Sequence, residues 1–140
     1  MNNNSVISIR NLDHSFGKGE LQKQVLFNIN LEIDRWEIVL MTGPSGSGKT
    51  TLLTLVSGLR SPQTGSCKIL SKELCGASSA ELVNARRNNG YIFQAHNLHY
   101  SLTAAQNVQM GLEVHGKYSK AEMRDRAVAM LEEVGLADRV

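Results

Sequence analysis

Gly43-Pro44-Ser45-Gly46-Ser47-Gly48-Lys49-Thr50 matches the pattern G-x-x-x-x-G-K-[ST] at every fixed position. The residues on either side supply the setting that this pattern requires. Before it, Glu37 to Thr42 is short, apolar and β-branched, which predicts a fully buried strand. After it, Leu52, Leu55, Val56 and Leu59 fall at i, i+3, i+4 and i+7, which predicts a helix with one apolar face, stopped by Ser61-Pro62. Strand, glycine loop and helix in that order point to a phosphate-binding loop. Glycines 43, 46 and 48 let the backbone wrap so that successive N–H groups point inward. The helix that begins near Lys49 adds the partial positive charge of its N-terminus. In such a loop Lys49 reaches the β and γ phosphates, and the Thr50 hydroxyl completes the coordination of Mg²⁺. The bland alternative is a glycine-rich turn with no ligand, and the flanking elements argue against it.

Working outward, Val25, Phe27, Ile29, Leu31 and Ile33 alternate with Leu26, Asn28, Asn30, Glu32 and Asp34, the period of a strand with one buried face. Val6 to Arg10 reads as a strand, and Asn11 to Gln24 as a loop or wide hairpin. Downstream, Thr64-Gly65 reads as a turn and Lys68 to Leu70 as a short strand. Ser78-Ser79-Ala80-Glu81 is a capping box that opens a helix to about Arg87. Gly90 to Phe93 reads as a strand ending at Gln94. Ser119-Lys120-Ala121-Glu122 is a second capping box. The helix it opens puts Met123, Ala127, Met130, Leu131 and Val134 on one face, with Gly135 as its C-terminal cap. A methionine-rich stripe at that spacing reads as core.

Bulk properties exclude several classes. A length of 140 residues with 41% hydrophobic and 20% charged content suits one soluble domain. A formal charge of +2 is too small to argue for nucleic acid or an anionic membrane surface. Arg86-Arg87 reads as a solvated helix face. Cys67 and Cys75 match no zinc spacing and read as plain thiols in a reducing compartment. His96 and His99 lack a third ligand, so they make a weak metal pair. No apolar run approaches the roughly 18 residues of a membrane span, and the polar start Met1-Asn2-Asn3-Asn4 is not a signal sequence. The expectation is a cytoplasmic chain whose membrane role, if any, comes through a partner.

The loop, extended through Thr51-Leu52-Leu53, resembles the Walker A of ATP-binding cassette (ABC) transporter subunits. Gly58-Leu59 with Pro62 and Gly65 resembles the family's link to the next strand. Tyr91-Ile92-Phe93-Gln94 resembles its Q-loop, followed by Leu102 to Val108. Ala95-His96-Asn97-Leu98-His99 and the Ser-Leu-Thr-Ala run are similar to ATPases of MacB- or LolD-like exporters, nearest the DevA type associated with glycolipid export. The resemblance implies an α/β fold: the N-terminal half of a P-loop NTPase core with an antiparallel β subdomain over residues 1–94, and the start of an α-helical subdomain over 95–140. It implies ATP and Mg²⁺ as ligands, held by residues 43–51. It also implies Phe16 stacked on adenine, and Gln94 touching Mg²⁺ and the attacking water while sensing the transmembrane partner. Its partners would be a transmembrane permease and a second ATP-binding subunit, on the inner face of the plasma membrane.

Two departures stand out. Trp36 occupies a turn where the family has glycine, and is strained there if the turn needs positive φ. After Gln94 neither a Leu-Ser-Gly-Gly-Gln signature, nor a strand ending in Asp-Glu, nor a switch histidine follows. The expectation is therefore the N-terminal portion of a longer ATPase, able to hold the triphosphate but lacking what hydrolysis needs. The alternatives are a guanylate-kinase-like nucleotide kinase, a non-transport ABC protein and a non-functional remnant.

Overall fold

A computed structural model of the chain describes residues 4–95 and 97–139. The described residues form two units, one up to Tyr91 and one from Ile92 onward. In the first, β1 (Ser5–Phe16), β2 (Lys23–Asp34), β3 (Thr64–Ile69) and β4 (Lys72–Glu73) make one antiparallel sheet in the order β2-β1-β3-β4. Two helices, α1 (Lys49–Val56) and α2 (Ser79–Arg87), supply Leu52, Leu55, Leu82 and Ala85 to the core that Ile9, Leu12, Leu26, Cys67, Ile69 and Leu74 fill from the sheet side. The second unit holds α3 (Ala104–Glu113) and α4 (Lys120–Glu133), packed through Ala105, Ala127 and Leu131. Among the described residues no helix is long and apolar enough to cross a membrane.

The first hairpin is longer and more distorted than its sequence pattern suggests. Residues Asn11 to Phe16, read as loop, continue β1, and the connection shrinks to a 3₁₀ turn at Gly19–Leu21. Ile9 faces Leu31, Leu12 faces Ile29 and His14 faces Leu26, so one extra residue bulges first from β1 and then from β2. Asn11 and Asn28, both at φ 47, sit at these bulges. Asparagine tolerates left-handed backbone better than most residues. Each bulged N–H is taken up from the opposite strand: Asn11 N–H donates to Asn30 Oδ1 at 3.1 Å and Asn28 N–H to Asp13 Oδ1 at 2.8 Å. The second bulge resets the parity of β2. Leu26 is buried and Phe27 is 64% exposed, whereas Ile29, Leu31 and Val25 pack against the core, so the strict one-face alternation does not hold.

Gly65 lies inside β3 rather than in a turn, opposite the first bulge. At φ 88, any Cβ on it would fall 2.3 Å from the Asn11 carbonyl oxygen, so the bulge and the glycine require each other. β3 begins four residues before the expected Lys68, and a tight turn with Leu70 at φ 48 and Ser71 at φ 67 leads to β4. Helix α1 ends at Val56, earlier than Ser61-Pro62: Gly58 turns left-handed at φ 71 and donates to the Leu55 carbonyl, leaving Leu59 outside the helix and partly exposed. Arg86 is not a solvated residue, since its Nη1 donates to the Gly58 carbonyl at 2.8 Å. Cys67 and Cys75 are free thiols, and burial, with Glu73 and Cys75 nearby, pushes the Cys67 thiol up to about 12.

Two expected strands are absent from the sheet. Glu37 to Thr42 forms no regular element and pairs with no described strand, and Ile38 is fully exposed. Gly90 to Phe93 likewise joins no ladder. Both segments have the composition of buried strands, yet no neighbouring strand among the described residues covers them. In α4 the buried face is narrower than expected: Ala127 and Leu131 are buried, Met130 and Val134 exposed. Gly135, at φ 75, caps that helix as the sequence indicates.

Candidate functional site

Helix α1 starts at Lys49, with Gly48 as its N-cap at φ 90 and no side chain accepting from its first turn. An α-helix begins with four N–H groups that have no partner within it. Here the glycine contributes no acceptor, so those donors face the loop that precedes them. Gly48 is also held sterically: a Cβ would meet Leu26 Cδ2 at 2.8 Å and the Val25 carbonyl oxygen at 3.1 Å. Strand β2 thus packs directly behind the loop. Together Val25 and residues Ser45, Gly46, Ser47, Gly48, Lys49, Thr50 and Thr51 line a cavity of about 490 Å³.

Lys49 is folded back over this cavity. Its ammonium donates to the carbonyl oxygens of Gly43 and Pro44, both at 2.7 Å, and to Ser47 Oγ at 3.3 Å. A lysine held by neutral acceptors on a half-exposed loop exchanges them readily for an anion, since charge-assisted bonds are about twice as strong. Thr50 is exposed, and its hydroxyl makes no hydrogen bond among the described residues. A free hydroxyl oxygen suits a hard cation such as Mg²⁺, so the residues present fit that ion. Among the described residues no cluster of three or more His, Cys, Asp or Glu side chains makes a dedicated metal site. His96 lies outside the described residues. His99 exchanges backbone hydrogen bonds with the Asn107 amide.

Phe16 ends β1 and is 37% exposed. Gln63 fixes the strand beside it: its amide oxygen accepts from Ser15 N–H at 2.8 Å and its amide nitrogen donates to the Ser15 carbonyl at 3.0 Å. The His14 ring meets the Phe16 ring nearly perpendicular, centroids 5.1 Å apart, and the Arg60 guanidinium lies 4.7 Å from the Phe16 centroid. His14 is only 3% exposed and neither ring nitrogen has a hydrogen-bond partner. Burial, and then the Arg60 charge, hold its pKa below the ordinary value of 6.5, so it is neutral near neutral pH. Sequence spacing does not place Arg60 in this cluster, because a strand and a helix separate it from β1, and His14 shares a face with Phe16 only because residues 11–16 are strand rather than the expected loop. Gln94 belongs to the second unit, on an exposed bend with Ala95.

A glycine loop of this geometry between a β hairpin and a helix defines a P-loop nucleotide-binding protein. The ABC transporter family model matches residues 26–140, and the chain belongs to that family. It is 41% identical to the lipoprotein-releasing system ATP-binding protein LolD 2 of Rhodospirillum rubrum over 96% of this chain and 59% of that protein. It is 38% identical to the macrolide export ATP-binding/permease protein MacB of Aggregatibacter actinomycetemcomitans over 96% of this chain and 21% of that protein. Among solved structures, the dimeric ATP-binding cassette MJ0796, in a post-hydrolysis state with ADP and Pi, superposes with a TM-score of 0.81 at 35% identity. That match covers 90% of this chain and 56% of that one. The chain thus spans about three fifths of LolD 2. The same matches, with two long antiparallel strands before the loop, decide against a guanylate-kinase-like fold.

Proposed function

We propose that the chain is the ATP-holding part of the energy-coupling subunit of an ABC exporter of the LolD or MacB kind. The observation that carries this is the open N-terminus of α1, with Lys49 lying across it on carbonyl oxygens. Backbone N–H groups of residues 43–51, Pro44 apart because it has none, would hold the phosphates, Lys49 the β and γ oxygens, and the Thr50 hydroxyl Mg²⁺. Phe16 would stack on the adenine, and Gln94 would reach Mg²⁺ and the attacking water and sense the permease. Bound Mg²⁺ supplies charge neutralisation on the phosphate oxygens. Two such subunits would pair on a transmembrane permease, at the inner face of the plasma membrane. The names of the relatives support the exporter assignment, and the dimeric cassette supports the pairing.

The test is a titration of the chain with a fluorescent ATP analogue in Mg²⁺, beside Lys49→Ala. Saturable binding that the substitution weakens by about ten- to a hundredfold is expected, the worth of one or two charge-assisted hydrogen bonds. Equal binding by both chains would remove the phosphate-cradle reading.

A further inference from the structure

The Arg60 guanidinium on Phe16 is not explained by any hydrogen bond or ion pair, since its side chain makes neither among the described residues. Its backbone is nonetheless set there. Gly58 turns the chain out of α1, Arg60 N–H donates to the Thr54 carbonyl at 3.0 Å, and the Gln63 clamp on Ser15 ties the following residues to the end of β1. The ring thus has two neighbours of opposite character. His14 is buried and perpendicular to it, whereas Arg60 is exposed and held by the ring alone.

A planar guanidinium over an aromatic ring uses the attraction that a nucleobase would use, a flat group stacked on a π face. Of the two groups on Phe16, only Arg60 is free to leave. We propose that Arg60 is a removable cover on the base platform: it caps Phe16 in the nucleotide-free protein, and a purine must displace it to stack. This rests on the nucleotide-binding role proposed above. Its consequence is specificity. The cover weakens binding only of ligands that carry a base, and leaves the phosphate contribution untouched.

Calorimetric titrations of the full chain with Mg²⁺-ATP and with inorganic tripolyphosphate, which has no base, separate these contributions. Arg60→Ala should raise the ratio of ATP to tripolyphosphate affinity by about two- to fivefold, the strength of an exposed cation–π contact. Arg60→Lys, which keeps the charge and loses the plane, should raise it less. In a Phe16→Ala background Arg60→Ala should leave the ratio unchanged. A ratio that is unchanged or falls in Arg60→Ala, while Lys49→Ala still weakens tripolyphosphate binding, overturns the cover and leaves the nucleotide site standing. Absence of any Lys49-dependent binding of either ligand overturns both.

Discussion

Helices α2, α3 and α4 begin one way and α1 begins another. Ser78, Thr103 and Ser119 each accept a hydrogen bond from the backbone three residues on, and Glu81, Gln106 and Glu122 reach back to the cap's own N–H. These three starts are closed by their own sequence. Helix α1 faces the same four unpartnered N–H groups and answers with Gly48, a residue with nothing to offer them. Position 48 could have carried a serine or aspartate cap; instead it is glycine, and the lysine beside it is turned onto carbonyl oxygens. A closed start serves stability. An open start with glycine at the cap gives up only about a few tenths of a kcal/mol of that stability and keeps its donors for an anion.

The sharpest way to break this contrast is to fill the open end. Gly48→Ala forces a Cβ against Leu26 and into left-handed backbone, which should cost about 2–3 kcal/mol in denaturant unfolding and remove most nucleotide affinity. An alanine variant as stable as the parent would show that the loop relaxes freely, and that glycine is not what keeps the end open.

Opening a closed end should have the complementary outcome. Ser119→Ala removes the cap of α4 and should cost about 1 kcal/mol, read as a lower denaturant midpoint, with nucleotide affinity unchanged. Thr103→Ala should do the same at α3. A loss of ATP affinity in either variant would mean that these ends are not purely structural.

Acid separates the two kinds of start more gently. The Glu81 and Glu122 carboxylates are held below their ordinary value of 4.5, first by the backbone N–H groups of Ser78 and Ser119 and then by the same residues' hydroxyls. A carboxylate with a depressed folded pKa contributes stability that is full above its unfolded value and is lost as pH falls through the folded one. Stability should therefore decline below about pH 4.5, and Glu122→Gln should shallow that decline. An unchanged acid limb in Glu122→Gln would show that the reciprocal half of the box adds nothing. Helix α1 has no acidic residue in its first turn and should contribute nothing to this limb.

How much of this was legible follows from what each signal measures. The glycine loop and the two serine capping boxes are short patterns whose geometry is local, so the residues state it outright. The Thr103-Gln106 box obeys the same rule, although it is absent from the helix starts expected above. Hydrophobic alternation measures what a segment would bury if it were covered, not whether a neighbour exists. Glu37 to Thr42 has the pattern and lacks the neighbour among the described residues, so it is exposed. Alternation also survives intact across Phe27 and Asn28, where the bulge reverses which side chains face inward. The cluster of His14, Phe16 and Arg60 depends on a crossing from α1 back to β1, which no local spacing encodes.

The smallest expected effect concerns a second residue in the conformation of Gly48. Trp36 turns at φ 69, as the turn between β2 and the following segment requires, and its side chain is 96% exposed. The turn is otherwise supported: Asp34 N–H donates to the Glu37 carboxylate at 2.9 Å and Arg35 N–H to the Asn4 carbonyl at 3.1 Å. A bulky residue therefore carries a left-handed cost of roughly 1–2 kcal/mol that no described hydrogen bond of its own offsets. Trp36→Gly removes that cost but gives the unfolded chain more freedom, which leaves a net gain of about 0.5–1 kcal/mol and a melting temperature higher by a few degrees. Trp36→Ala, which keeps the strain, should gain nothing. If glycine leaves the melting temperature unchanged or lowers it, left-handed backbone costs this chain little, and the case for glycine at position 48 then rests on the contacts with Leu26 and the Val25 carbonyl.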